Sequence, residues 1–229
     1  SQASMQNFAT QAVALMKKTK FSGLDIDWEW WSEPEQAPAK QMLSFYKILR
    51  AELDKAGAAD GKHYTLTIAV NAGVDRVNAM QDPSNPNSVA DYWKQVNTLV
   101  DQINLMSYDY HGAYDNSKPA YFHANYDFAN IPLDKQADVG QTSGWSIKAV
   151  VAAYQANGIT AKKLVLGLPA YARTMSVSGG TNGGLLQAVS GAGFGDYEAG
   201  VLDYKCLVNP VADKANGCKN VSAGLSDLV

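Results

Sequence analysis

Four short runs rich in apolar and β-branched residues, at 22–29, 64–71, 101–108 and 163–169, alternate along this chain with segments of helical period. One helical pattern covers 4–20, with Phe8, Leu15 and Met16 among its apolar positions. Another starts at 39, where Met42, Phe45, Leu49 and Leu53 form one stripe and Gly57 reads as a stop. A third carries Trp93, Val96, Leu99 and Val100 and is capped near Ser88, and a fourth spans 145–156 and ends at Asn157 and Gly158. Strict alternation of the two patterns marks parallel strands joined by helical crossovers, so an α/β fold with a parallel sheet is expected. With 229 residues and 46% hydrophobic content, one sizeable core is within reach. Beyond Arg173 the alternation stops and Gly, Ser, Asn and Ala dominate. This places a boundary between 1–174 and an excursion at 175–229. The Gly-rich stretch 178–184 lacks the Lys-Ser/Thr of a phosphate loop and is expected to be a turn.

The first run has a second property. Asp25, Asp27 and Glu29 occupy alternate positions, with Leu24, Ile26, Trp28 and Trp30 interleaved. At period two the carboxylates share one strand face, roughly 6.6–7 Å apart, and the bulky groups share the other. Three like charges in a row against a hydrophobic backing are costly, which points to chemistry rather than support. A Mg²⁺ site would want hard oxygen ligands around an octahedral ion, but no phosphate-binding motif accompanies these acids. No metal and no cofactor is expected.

In parallel α/β folds the functional residues gather at the C-terminal strand ends. Asp25, Asp27 and Glu29 sit at the first such end, Asn71 at the second, Met106, Tyr108, Asp109 and Tyr110 at the third, and Tyr171 and Arg173 follow the fourth. Trp28 is expected behind the strand, while Trp30 or Trp31 reaches the cleft. Carboxylates set among phenols, an Arg and indole rings suit a carbohydrate. Glycoside hydrolysis needs an acid on one side of the bond and a base or nucleophile on the other. Asp27 and Glu29, pointing the same way from one strand, cannot easily straddle a bond. Glu29 can serve as the acid, because the neighbouring charges raise its pKa toward working pH. The nucleophile is then either the substrate's own 2-acetamido oxygen, as in an N-acetylhexosamine, or a distant carboxylate such as Asp109.

Three motifs carry a resemblance. Ser22-Gly-Leu-Asp-Ile-Asp-Trp-Glu29 resembles the Asp-x-x-Asp-x-Asp-x-Glu signature of family 18 glycoside hydrolases, the chitinases, with Ser22 in place of the first Asp. Met106-Ser-Tyr-Asp109 resembles the motif of that family's sixth strand, and Gly167-Leu-Pro-Ala-Tyr-Ala-Arg173 that of its seventh, with Ala172 where Gly is common. The resemblance implies a (β/α)8 TIM barrel of which this chain carries strands four to seven and the start of an α+β insertion. It implies Glu29 as acid and then base, Asp27 on the acetamido N–H, Asp25 tuning Asp27, and Tyr108 donating to the acetamido oxygen. Met106, Asp109, Tyr110, Tyr171, Arg173, Trp30 and Asn71 would bind sugar. The implied reaction is retaining, endo-acting hydrolysis of chitin or N-acetylglucosamine oligosaccharides, and the complete barrel would be a monomer. The competing readings are an endo-β-N-acetylglucosaminidase on N-glycans, a non-catalytic chitin-binding lectin, and an inactive fragment. Half a barrel exposes two strand edges, so the resemblance also implies either a piece of a longer chain or completion by another polypeptide.

Charge and composition exclude other classes. The net charge is −3 and no Lys/Arg run stands out, so nucleic acid is not an expected partner. No apolar run approaches about 18 residues, so no membrane partnership is expected. No leader peptide is visible, and Ser1 is read as following a processing or cloning boundary. Cys206 and Cys218 are close enough in sequence for a local disulfide, which would suit an oxidising, extracellular compartment. Residues 220–222 form an N-glycosylation sequon. His111 follows a strand end and is placed to assist, whereas His63 and His123 are expected to be ordinary loop residues. Tyr114, Tyr121 and Tyr126 either wall a sugar cleft or pack their own loop, which runs from Asp109 to about 143.

Overall fold

The computed structural model describes residues 1–30, 36–129, 131–140, 144–196 and 198–208. They fall into two compact units, Ser1–Met106 with Lys148–Gly167, and Ser107–Ile147 with the chain from Leu168 onward. The loop after the third strand joins the C-terminal excursion by backbone pairing: Ser117 donates to Val189 (2.9 Å), Ala120 to Gln187 (2.8 Å) and Val189 to Lys118 (2.8 Å).

The first unit opens with α1 (Gln2–Thr19), where the Ser1 side chain caps the Ser4 amide and Lys17 and Lys18 occupy the last turn. Both placements complement a helix dipole. There follow β1 (Gly23–Asp27), α2 (Ala39–Asp60), β2 (Thr65–Asn71), α3 (Val74–Ala79), α4 (Tyr92–Leu99) and β3 (Gln102–Met106). The chain then passes through the second unit, which holds α5 (Leu133–Gln136), and returns as α6 (Ile147–Ala156) and β4 (Leu164–Leu166). Gly57 does not end α2. The helix runs on to Asp60, and Gly61 ends it at φ 65°. Gly57 serves a close approach instead: a Cβ there would lie 2.4 Å from the Lys62 carbonyl oxygen.

The strands form one parallel sheet in the order β1–β2–β3–β4, as the alternation of patterns requires. Leu66, Ile68 and Ile103 are fully buried, with Ile68 opposite Ile103 in register. The helix stripes bury Leu49, Leu53, Val96 and Val150 equally well. Each such side chain contributes roughly 1.5–3 kcal/mol. Edge-on ring contacts link Tyr92 to Trp93 (4.8 Å) and Trp93 to Tyr154 (4.7 Å). Trp93 donates to the Val77 carbonyl (2.8 Å), and Tyr154 to the Asn71 carbonyl at the end of β2 (2.8 Å). Tyr154→Phe is expected to cost about 1 kcal/mol in urea unfolding, because it removes the donor to a part-buried carbonyl. Among the described residues β1 and β4 are the sheet edges, and Val165 and Leu166 stand 42% and 45% exposed. These are the two open edges expected of half a barrel.

In the second unit β5 (Tyr171–Arg173), β6 (Met175–Val177), β7 (Val189–Ala192) and β8 (Val201–Asp203) precede α7 (Tyr204–Val208). β5 pairs antiparallel with β8, and β6 with β7. Strands of three or four residues carry too little period to stand out in a sequence. The Gly-rich stretch does turn, through a short 3-10 segment at Thr181–Gly184. The long loop after β3 has its own core of Tyr121, Phe128, Ile131 and Val139, with Leu185 and Leu186 against it. Cys206 is fully buried beside Leu202. Cys218, Trp31 and the sequon at 220–222 lie outside the described residues.

Candidate active site

The acid row belongs to the first unit. Exposure alternates along β1 and past its end: Asp25, Asp27 and Glu29 are exposed, and Ile26, Trp28 and Trp30 are partly buried. Regular pairing stops at Asp27 opposite Ala69, so Glu29 extends two residues beyond the ladder. Asp25 is tied down from two neighbouring strands. Thr67, its register partner, donates its hydroxyl to Oδ1. Asn104 on β3 donates to the same oxygen (3.1 Å), and Gln102 donates to Asn104 (2.7 Å). An oxygen that already accepts from two neutral donors is held as an acceptor. One step up the strand, the Ala69 side chain has no donor to offer Asp27. Trp28 packs edge-on against Phe45 (5.8 Å), and an open groove is lined by Asp25, Asp27, Glu29, Trp28, Phe8 and Phe45.

Asn71 and Met106 are register partners at the ends of β2 and β3. The Asn71 side chain donates to the Trp30 carbonyl (3.4 Å), and the Trp30 ring lies against the Arg76 guanidinium at 5.0 Å. Asn71 thus steadies the segment that carries Glu29.

The second unit holds a separate cluster centred on Asp109. Arg173 grips its carboxylate with both arms, Nε to Oδ1 at 2.7 Å and Nη2 to Oδ2 at 2.5 Å. Tyr171 donates to Oδ1 (2.8 Å). Tyr171 and Arg173 reach the same carboxylate because alternate residues of β5 share a face. Burial pushes the Asp109 carboxyl up, but the hydrogen bonds from Arg173 and Tyr171 and the Arg173 charge outweigh it and hold the group well below the usual carboxylate range. Burial, then the bond to Asp109, raises the Tyr171 phenol. The Tyr108 ring packs edge-on against Tyr171 at 6.2 Å. Asp109 itself has φ 60°, and Tyr114 donates to its carbonyl (2.5 Å).

The sequence matches the family of Glycosyl hydrolases family 18 over residues 1–222. The chain belongs to that family. Chitinase 1 of Aphanocladium album is 32% identical over 236 residues, covering 100% of this chain and 50% of its own length. Endochitinase 1 of Metarhizium robertsii is 34% identical over 207 residues, covering 90% of this chain and 43% of its own. Among solved structures, chitinase ChiA74 from Bacillus thuringiensis superposes with a TM-score of 0.72 at 25% identity, over 91% of this chain and 34% of that one. Catalytic domain 2 of an Ostrinia furnacalis Group II chitinase gives 0.70 at 25% identity, over 93% and 51%. The chain spans half or less of the length of these curated relatives. The four-stranded sheet is accordingly part of the family 18 (β/α)8 barrel.

Within this family 18 chain, the residues read from sequence separate into two groups. Asp25, Asp27, Glu29, Trp30, Asn71 and Met106 lie in the first unit, and Tyr108, Asp109, Tyr171 and Arg173 lie in the second. Tyr110 also lies in the second unit; it is 5% exposed, its hydroxyl is buried, and its amide donates to the His123 carbonyl (3.0 Å). His111 is buried as well, with Nδ1 3.0 Å from Asp115 and Nε2 3.2 Å from the Val139 carbonyl. Of the three tyrosines in its loop, Tyr121 packs inside, while Tyr114 and Tyr126 are exposed. Sequence patterns do not single out Thr67, Asn104 or His123. The first two carry a signal, as polar residues at alternate positions of apolar strands. His123 carries none, since it touches Asp109 only through the fold of its loop.

Proposed function

We propose that this chain forms part of an endo-acting chitinase that hydrolyses β-1,4-linked N-acetylglucosamine polymers with retention at the anomeric carbon. The observation that carries this reading is the acid row. Glu29 and Asp27 leave one strand in one direction, and Asp25 behind them is held as an acceptor by Thr67 and Asn104. Carboxylates so arranged supply an acid and an orienting group, and the nucleophile comes from the substrate. Glu29 protonates the leaving oxygen while the acetamido oxygen bonds to the anomeric carbon and the glycosidic bond breaks. Asp27 accepts the acetamido N–H and balances the charge of the oxazolinium that forms. Tyr108 donates to the acetamido oxygen. Water then attacks the anomeric carbon and gives its proton to Glu29 while the bond from that carbon to the acetamido oxygen breaks and restores the amide, so two inversions amount to retention. Met106, Asp109, Tyr171, Arg173 and Trp30 contact sugar, and Asn71 acts through the Trp30 backbone. The same reading includes secretion, a Cys206–Cys218 bridge, no cofactor, and a monomeric complete barrel.

Chitinase relatives and the motif order support this reading. The test is a thiazoline that mimics the cyclised intermediate. It is expected to inhibit hydrolysis of chitin oligosaccharides competitively and far below the substrate's KM. Hydrolysis that is indifferent to the thiazoline would point to a protein nucleophile and overturn the substrate-assisted route. Cleavage of N-glycan cores in preference to chitin oligosaccharides would replace the substrate assignment but leave the chemistry standing.

A further inference from the structure

His123 lies between β3 and α5 and is 15% exposed at its side chain. Its Nδ1 is 3.4 Å from the Asp109 amide nitrogen, which donates to it, and 3.4 Å from Asp109 Oδ1. One ring nitrogen cannot serve both partners in one state. With the proton on Nε2 alone, Nδ1 accepts from the amide. Once Nδ1 takes up a proton it becomes a donor, and the carboxylate is its partner. The residue it grips is unusual. Asp109 is a non-glycine residue at φ 60°, a conformation that persists only when its surroundings hold it. Those surroundings are few. Tyr114 holds the carbonyl, Arg173 and Tyr171 hold the carboxylate, and His123 holds the amide.

The His123 ring also lies 5.3 Å from the Tyr171 ring, and its carbonyl accepts from the Tyr110 amide. The titratable and charged groups around it are thus Asp109, Tyr171 with Tyr108 beyond it, Arg173 across the carboxylate, Tyr114 on the Asp109 carbonyl, and Tyr110.

We propose that His123 is a positioning residue for Asp109: unprotonated, it anchors the Asp109 amide; protonated, it shifts to the carboxylate and competes with Tyr171 and Arg173 for it. The functional consequence rests on the reading that Asp109, Tyr171 and Arg173 contact sugar. Its sign follows from the exchange of partners. Substrate use is highest where the ring is unprotonated and falls on the acid side as the amide anchor is released.

The test has two arms on the whole chain. In the first, ¹⁵N imidazole shifts are followed over about pH 5–8, with the His123 signals among the three histidines identified by their loss in His123→Asn. At the upper end Nδ1 is expected to show the shift of a hydrogen-bonded acceptor and Nε2 that of a protonated nitrogen. At the lower end Asp109→Asn is expected to remove from Nδ1 the shift of a nitrogen that donates to a carboxylate. A neutral ring protonated on Nδ1, or a lower-end Nδ1 signal indifferent to Asp109→Asn, overturns the proposal without any reference to activity. In the second arm, kcat/KM on chitin oligosaccharides is measured against pH. His123→Ala is expected to lower it roughly 10-fold, mainly through KM. His123→Asn, which keeps an acceptor but does not titrate, is expected to recover most of the upper-pH value and to lose the acid-side inflection. A His123→Ala profile that matches wild type also overturns the proposal. If wild type neither binds nor cleaves the oligosaccharide, the proposed function fails, and the first arm alone decides the His123 contact.

Discussion

Glu29→Gln is expected to lower kcat on chitin oligosaccharides by about 10²-fold or more while leaving oligosaccharide affinity close to wild type. Gln keeps the size and the hydrogen-bonding outline of Glu but carries no transferable proton. On the proposed reading Glu29 transfers its proton to the leaving oxygen only in the transition state, so the loss appears in kcat and not in ground-state binding. Glu29 lies beyond the last ladder pair of β1 and is exposed, so the variant is expected to melt within about 0.5 kcal/mol of wild type, like other surface substitutions. The measurement is steady-state hydrolysis together with calorimetric binding of the same oligosaccharide. Undiminished hydrolysis by Glu29→Gln would remove Glu29 from the acid's role. A fall in affinity equal to the fall in rate would make it a binding residue.

Arg173→Ala is expected to destabilise the protein by about 2 kcal/mol. The pair with Asp109 is neither fully buried nor free in water, with 23% and 29% of the two side chains exposed. That places the cost between the roughly 3–5 kcal/mol of breaking a buried pair and the ~1 kcal/mol or less of a surface one. Arg173→Lys keeps the charge but not the two-armed grip and should recover only part of the loss. The pH dependence checks the mechanism. The folded-state pKa of Asp109 is depressed, so its stabilisation is fully present above the ordinary Asp value of about 3.9. That stabilisation is lost as pH falls through the lower folded value. Without Arg173 the folded value rises toward the ordinary one, so the fall of Tm below about pH 4 should become shallower than in wild type. An unchanged slope would mean that the pair contributes little to folding.

Much of the barrel portion is legible in local pattern alone. β2 and β3 lie within the runs at 64–71 and 101–108, and α2 starts where its apolar stripe begins. The misses have local causes. α3 is six residues long, too short to show a period. β5 to β8 fail for the same reason, and they pair antiparallel with partners far along the chain. The boundary at 174 is read from a change in composition, a local property, whereas packing groups the 107–147 loop with the chain from Leu168 onward. Tyr110 reads as a site residue because it stands at the third strand's end; the sequence does not show that Asp109 before it stands at φ 60° or that Tyr110 is buried.

By itself the sequence determined that four parallel strands would alternate with helices and that Asp25, Asp27 and Glu29 would share one face. Periodicity is a property of neighbouring residues, and neighbours are what a sequence records. Only the tertiary structure decided what holds those groups. The donors to Asp25 come from strands paired in a particular register, and Arg173 reaches Asp109 across 64 residues of chain. His123 meets Asp109 because the loop that carries both has its own small core and folds back on itself. Such contacts follow from how distant segments pack, and no local pattern encodes them.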